Sequence, residues 1–239
     1  MAATFLLLCL YVFVQSIYGV GLLVFGTPTL LLMGHGFGDT LGLLLPSSLA
    51  ISVHQIISSS SAKIDEAKLI PVAVIGIPVG LFLTIKWLDE NDFSLQVGCI
   101  MLGTALMRSH REARHFLMAG LKRARIPFHF FNAIFHGMTN LGGALLPIYS
   151  NSVYVDKLRA LRCTALFYVV YAVAQIMTLV ALEMTEVFVN GLAILPILVL
   201  FYWVAGRVGF KLIQDKTFNS MATLFMWSMS AVFFYRATL

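Results

Sequence analysis

Eight predominantly apolar segments, at about residues 4–34, 39–60, 67–88, 93–107, 127–150, 160–182, 187–206 and 218–235, take up nearly the whole chain. Each is near or above the roughly 17 residues that cross a bilayer as helix. With 59% hydrophobic and 11% charged residues, no length remains for a soluble domain. The fold class predicted is an all-α polytopic membrane protein. Two of the segments are interrupted at similar places. The first reads Tyr18-Gly19-Val20-Gly21 and then Gly26-Thr27-Pro28; the second reads His136-Gly137-Met138-Thr139-Asn140, then Gly142-Gly143, with Pro147 following. A helix broken in lipid strands backbone amides and carbonyls, so breaks survive only where protein buries them or they line a polar cavity. Matched breaks in two halves point to a transporter's binding site.

Charge placement gives an orientation. The connection from Arg108 to Arg125 carries Arg108, Arg111, Arg114, Lys122, Arg123 and Arg125 against the single acid Glu112, which makes it cytoplasmic by the positive-inside rule. Complete crossings counted backward put the Lys63–Lys68 connection inside and Asp89, Glu90 and Asp92 outside. Counting forward, a single crossing by 127–150 would put Lys157, Arg159 and Arg162 outside and Glu183 and Glu186 inside, against the rule. A re-entrant broken hairpin at 127–150 reverses both. With 4–34 folded likewise, each half becomes a broken hairpin plus three transmembrane helices, and the halves form two inverted repeats: 1–107, then the basic connection 108–126, then 127–239. Eight full crossings in two parallel repeats is the alternative, because about 30 residues make a helix of roughly 45 Å, too long for one straight span and short for two.

The broken segments supply the candidate binding residues. A half-helix N-terminus near the midplane offers free N–H groups and a partial positive charge to an anion. Gly19, Gly21, Gly26, Gly137, Gly142 and Gly143 permit close backbone approach, and Thr27, Thr139 and Asn140 add polar side chains. Close helix packing is the other reading of such small residues. The next span in each half is expected to begin at Pro46-Ser47-Ser48 and at Arg162-Cys163-Thr164, so that Ser47, Ser48 and Thr164 complete an oxyanion site. Arg162 could grip an oxyanion with two prongs or anchor the interface with Arg159. His54-Gln55 and Tyr171 with Gln175 place polar groups inside apolar helices, where such groups face a cavity or a partner helix. Histidine titrates near neutrality, which makes His54 and His136 candidates for proton coupling. His35, His110, His115 and His129 read as interfacial, and Lys86, Lys211 and Lys216 as snorkelling residues.

Other function classes lack residues. There is no HExxH zinc motif and no GxSxG turn, and acids are nearly absent from the spans, so no enzyme, metal site or cofactor is expected. Cys9, Cys99 and Cys163 are scattered and read as apolar packing, not a disulfide framework. The net charge of +5 is concentrated in connections and sets orientation rather than attracting nucleic acid. Met1 to Thr4 lacks the basic region of a secretory signal and runs straight into a retained apolar segment.

Taken together, Gly19-Val20-Gly21 through Gly26-Thr27-Pro28, the expected small-residue helix start Ser47-Ser48-Leu49-Ala50, and Gly137 through Gly142-Gly143 followed by Arg159-Ala160 and Thr164-Ala165 resemble the TauE/SafE sulfite-exporter family, also called the 4-toluene sulfonate uptake permeases. The resemblance covers nearly the whole chain. Here Leu22-Leu23-Val24-Phe25 interrupts a first cluster that is richer in glycine elsewhere in the family. The resemblance implies transport of small sulfur-containing or organic anions, such as sulfite, sulfonates or sulfoacetate, across the cytoplasmic (inner) membrane. The expected partners are that anion and the bilayer, with a homodimer compatible. A carrier is the first reading. An anion channel lined by the same groups is the second, and a membrane-embedded enzyme or assembly factor the third.

Overall fold

The structure, a computed structural model, describes residues 2–59, 63–87, 90–110, 120, 123–209 and 215–238. Arg111, Glu112, Arg114, Lys122, His115, Lys211 and Asp89, weighed above, lie outside the described residues, as do the side chains of Glu90, Asp92 and Lys216. The chain is a helical membrane protein, 88% of the described residues being helical. In order it forms α1 (Ala2–Tyr18), α2 (Leu22–Leu32), α3 (Phe37–Ser58), a 3-10 turn (Glu66–Leu69) leading into α4 (Ile70–Trp87), and α5 (Glu90–Ser109). After the basic connection come α6 (Arg125–Thr139), a 3-10 turn (Gly142–Ala144), α7 (Leu146–Val153) and α8 (Lys157–Ala181). A 3-10 turn (Thr185–Val187) then leads into α9 (Phe188–Gly209), followed by α10 (Asp215–Arg236).

Each interrupted segment folds as a hairpin of antiparallel helices. In the first, the Tyr11 hydroxyl lies 2.8 Å from Thr29 Oγ1, and Gln15 reaches Leu22 across the turn. In the second, the Phe128 and Tyr149 rings stack at 5.1 Å and His136 meets Gly143. The first hairpin opens beside the start of α3: Thr4, Phe5 and Leu8 line a cavity of about 710 Å³ together with His35, Asp39 and Glu186. The second opens near the end of α3, where Arg125 and Tyr154 both reach Glu66.

The main helix pairings follow a two-fold pattern. α3 packs on α8; α3 also packs on α9 as α8 does on α4; α1 packs on α9 as α6 does on α4; α2 lies on α3 as α7 does on α8; and α5 pairs with α10. Exchanging α1–α5 for α6–α10 leaves this set unchanged. Four stretches among the described residues are long and apolar enough to span a bilayer, Phe37–Ser58, Glu66–Lys86, Lys157–Ala181 and Thr185–Val204. In α3 and α8, 61% of the apolar window is buried, against 39% in the α4 stretch and 22% in the α9 stretch. α3 and α8 are therefore the central pair, while α9 turns Val189, Leu192, Ile197, Leu200 and Val204 outward, as a lipid-facing surface must.

Glycines set how closely these helices approach. A Cβ on Gly80 would fall 2.1 Å from Ile134 O, and one on Gly137 2.2 Å from Ile77 O, so α4 and α6 touch backbone to backbone. Gly42 and Gly191 do the same for α3 and α9. Without a hydrophobic drive between helices in lipid, such contacts provide the dispersion that holds them together.

Three expectations need correction. Pro46-Ser47-Ser48 and Arg162-Cys163-Thr164 are not helix starts: α3 begins at Phe37, and α8 at Lys157, where Asp156 Oδ1 accepts the Arg159 N–H at 2.8 Å as N-cap. Proline at a helix start is the usual soluble-protein pattern, but membrane helices tolerate interior proline because neighbours re-satisfy the freed groups. Ser47, Ser48 and Thr164 therefore offer hydroxyls from mid-helix. His129 is fully buried, not interfacial, stacked on Phe167 with ring centroids 4.1 Å apart. Cys99 is exposed on α5 rather than packed, whereas Cys163 is buried.

Candidate functional site

Both breaks are closed by the helix that precedes them. At the first, Gly19 takes the left-handed conformation (φ 74°) and its N–H returns to Gln15 O at 2.9 Å. The Gln15 side chain then accepts the Leu22 N–H at 3.1 Å, so the first amide of α2 is already occupied. Gln55 Nε2 donates to the Gln15 carbonyl at 2.9 Å, and Gln15 Nε2 reaches Ser52 Oγ at 3.5 Å. At the second, Asn140 is left-handed (φ 61°), its N–H returns to His136 O at 2.7 Å, and His136 Nδ1 accepts the Gly143 N–H at 3.2 Å. Asparagine is one of the few residues besides glycine that adopt this conformation readily. Thr139 Oγ1 accepts the Leu141 N–H, and Thr84 of α4 donates to Met138 O at 3.0 Å. Each orphan amide or carbonyl left open in a low-dielectric interior would cost about 1–3 kcal/mol.

The devices correspond: Gln15 and His136 each sit one turn before a left-handed residue and accept an N–H from seven residues on. Gly21 and Gly142 correspond too. A Cβ on Gly21 would lie 2.6 Å from Tyr11 O, and one on Gly142 2.6 Å from Asn132 O. The two hairpins touch through Asn140 Nδ2, which donates to Thr27 Oγ1 at 2.8 Å.

The second break carries more polar character. Arg125, His129, Asn132 and His136 fall on one face of α6, the spacing that stacks side chains along a helix. Arg125 pairs with Glu66 at 3.4 Å. Asn132 Nδ2 donates to the Tyr171 hydroxyl at 2.9 Å, and the His136 ring lies 4.5 Å from that of Tyr171. The Tyr168 hydroxyl lies against Gly143, where a Cβ would fall 2.2 Å from it, and Gln175 sits beside His136. His136 Nε2, the Tyr168 hydroxyl, both amide atoms of Gln175, and Ser47 and Ser48 Oγ are buried with no hydrogen-bond partner. Native buried polar groups are nearly always paired; on and around α6, both ring nitrogens of His129, Asn132 Oδ1, Asn140 Oδ1 and the Tyr149 hydroxyl lack partners as well.

The residues read from sequence divide accordingly. Thr27, Asn140, Thr139, Gly142, Gly143, His136 and Gln175 gather at the second break and its contact with α2. Gly19 and Gly21 shape the first break, where a Gly19 Cβ would meet Leu161 at 2.5 Å and Thr164 at 3.9 Å. Thr164 donates from its Oγ1 to Ser150 Oγ at 3.0 Å. Gly26 packs on Leu44 and Gly137 on α4. Arg162 donates to Ser59 O at 2.9 Å, neutralising the C-terminal end of α3. His54 faces Tyr202 and Trp203 of α9, at 5.4 and 4.9 Å, not the breaks. At the mouth of the second hairpin, Tyr154 donates its hydroxyl to Glu66 and accepts the Asp65 N–H at 2.9 Å. Burial first, then the bond to the Glu66 carboxylate, pushes the Tyr154 pKa up and keeps that proton in place. No group of acidic, histidine or cysteine side chains able to hold a metal occurs among the described residues.

The family model for the sulfite exporter TauE/SafE family matches residues 4–235. The chain belongs to that family. No curated protein and no solved structure matches it. As a TauE/SafE protein it is a multi-pass membrane transporter of the sulfite-exporter type. Within this TauE/SafE chain, Gln15, Asn132, Tyr168, Glu66 and Tyr154 are contributors that the motif reading did not pick out. One signal was present in the sequence: a long polar side chain stands one turn ahead of each break, glutamine in one half and histidine in the other.

Proposed function

We propose that the protein is a secondary carrier of small sulfur-containing or organic anions, of the sulfite, sulfonate and sulfoacetate class, across the cytoplasmic membrane. The anion sits at the second hairpin break, between α6 and α8. The observation that carries this reading is the set of buried donors without partners there, His136 Nε2, the Tyr168 hydroxyl and Gln175, in a family of anion exporters. Ser47 and Ser48 belong to α3, which packs on α8, and their unpaired hydroxyls complete the enclosure.

The halves 1–107 and 127–239 are read as inverted repeats with re-entrant hairpins. Two observations support this over eight full crossings: the hairpin mouths lie near opposite ends of α3, and the basic and acidic connections then fall on the sides the positive-inside rule requires. Alternating access is relative movement of the halves, with the Asn140–Thr27 contact between the hairpins as the joint that moves.

His136 is read as a donor to the anion. Protonating its Nδ1 would remove the acceptor of the Gly143 N–H, so proton coupling through His136 would require the break itself to open. His54→Gln and His136→Gln proteins in an imposed pH gradient test the coupling role, which falls if flux ignores the gradient in both and in the parent. The transport reading is tested in proteoliposomes: saturable uptake with counterflow supports a carrier, and non-saturating conductance supports the channel instead.

A further inference from the structure

We infer that the anion held at the second break is singly charged and that the site discriminates against a dianion of the same size. The inference rests on the carrier reading above and adds the charge state of the cargo.

The donors are all neutral. Because the Gly143 N–H points at His136 Nδ1 at 3.2 Å, that nitrogen must hold a lone pair, and the neutral ring carries its proton on Nε2. This N–H is buried beside the Gln175 amide, without a hydrogen bond of full geometry to it. The Tyr171 hydroxyl accepts from Asn132 Nδ2 at 2.9 Å, which leaves its own proton to give. The buried Tyr168 hydroxyl, and the Gln175 NH2 group, which stays available as a donor whether or not the amide oxygen faces His136, add two more donors from the same helix.

Among the described residues, three arginines are engaged at helix ends. Arg125 meets Glu66, Arg162 meets Ser59 O, and Arg236 meets Leu31 O at 2.7 Å. Lys157 and Arg159 are exposed at the start of α8. The buried carboxylate at the mouth of the hairpin, Glu66, is negative. Taking an ion out of water costs free energy that grows with the square of its charge, and without a counter-charge only hydrogen bonds repay it. Neutral donors repay one charge far better than two. The corresponding place in the first half is no better suited to a dianion, since Gln55 donates from its amide to the Gln15 backbone carbonyl and Gln15 from its amide to Ser52. A weak diprotic acid such as sulfite would accordingly travel in its singly ionised form and carry its own proton, without a titrating side chain in the protein. Sulfoacetate, doubly charged at neutral pH, would be the poorest cargo of the proposed class.

The test compares methanesulfonate with sulfate, close in size and tetrahedral in shape but different by one charge, on the purified full chain at neutral pH and constant ionic strength. Thermal stabilisation and competition for transport in proteoliposomes are both read. Methanesulfonate should stabilise the protein saturably, and sulfate should be at least about 100-fold weaker. Tyr168→Phe should weaken methanesulfonate while leaving the melting temperature of the free protein near that of the parent. Gln175→Lys, which supplies the missing charge, should narrow the gap between the two ions. Equal binding of sulfate and methanesulfonate would overturn the charge inference and leave the carrier reading standing. Failure of both ions, with sulfite also silent, would overturn the carrier reading and this inference with it.

Discussion

The Gly143 N–H donates to His136 Nδ1 across the second break, as the Leu22 N–H donates to Gln15 Oε1 across the first. A helix can stop inside the bundle at these points because the side chain one turn earlier folds over and receives the amide that the interruption strands. The difference between the two lies in what remains. Gln15 donates from its amide to Ser52, while His136 keeps a buried N–H whose neighbour is the Gln175 amide.

His136→Ala should therefore cost both stability and binding. It leaves the Gly143 amide without an acceptor, about 1–3 kcal/mol, and removes an anion donor. His136→Gln installs the residue that the first break already uses, so it should recover most of the lost melting temperature. Comparing the melting curves of the two variants checks this; equal destabilisation would mean that the Gly143 bond does not hold the break.

Gly21→Ala and Gly142→Ala should each destabilise by about 1–3 kcal/mol or more, because the new methyl meets backbone 2.6 Å away in both cases and has nowhere to turn. Gly103→Ala on α5 is the control: no atom lies within 4 Å of its Cβ position, and alanine favours the helix by up to about 1 kcal/mol. The readout is the fraction of protein that stays monodisperse in detergent on heating. A Gly142→Ala protein as robust as Gly103→Ala would contradict the packing described at the second break.

Topology can be read with single cysteines introduced after Cys99 is replaced. If both hairpins re-enter, Ala3→Cys and Gly36→Cys label from the outside, while Ala124→Cys and Val155→Cys label from the cytoplasm. Eight full crossings would instead split each pair between the two sides.

Arg162→Gln should lower stability by about 1 kcal/mol, as loss of a cation at a helix C-terminus does, and leave anion affinity within about twofold. The reason is its place: the guanidinium is directed to Ser59 O at the end of α3. Isothermal titration with methanesulfonate separates this from a gripping role, in which affinity would fall with little change in melting.

Much of the fold could be read from the chain because lipid leaves few options. Segment length gave the helices, and connection charges argued for hairpins over crossings. Helix starts were less legible, since Pro46 carries the mark of a first turn but lies deep in α3, where neighbouring helices absorb the disruption. At the site, glycines marked both breaks, yet could not separate Gly142, which closes a turn, from Gly137, which packs on α4. That distinction depends on which way each absent Cβ would point. Tyr168 was invisible for a related reason: an aromatic residue in an apolar helix reads as core until its hydroxyl is seen buried and unpaired. His129 and His136 lie two turns apart on one helix, and only packing separates them: His129 stacks on Phe167, while His136 receives the Gly143 N–H.

The central claim is that an anion binds at the second break and is carried across. Methanesulfonate counterflow in proteoliposomes containing the parent protein, Tyr168→Phe and His136→Gln tests it most directly. Saturable counterflow in the parent, reduced at least about tenfold in both variants while they remain folded, is the predicted result. Counterflow of full strength in both variants would place the anion elsewhere and contradict the account.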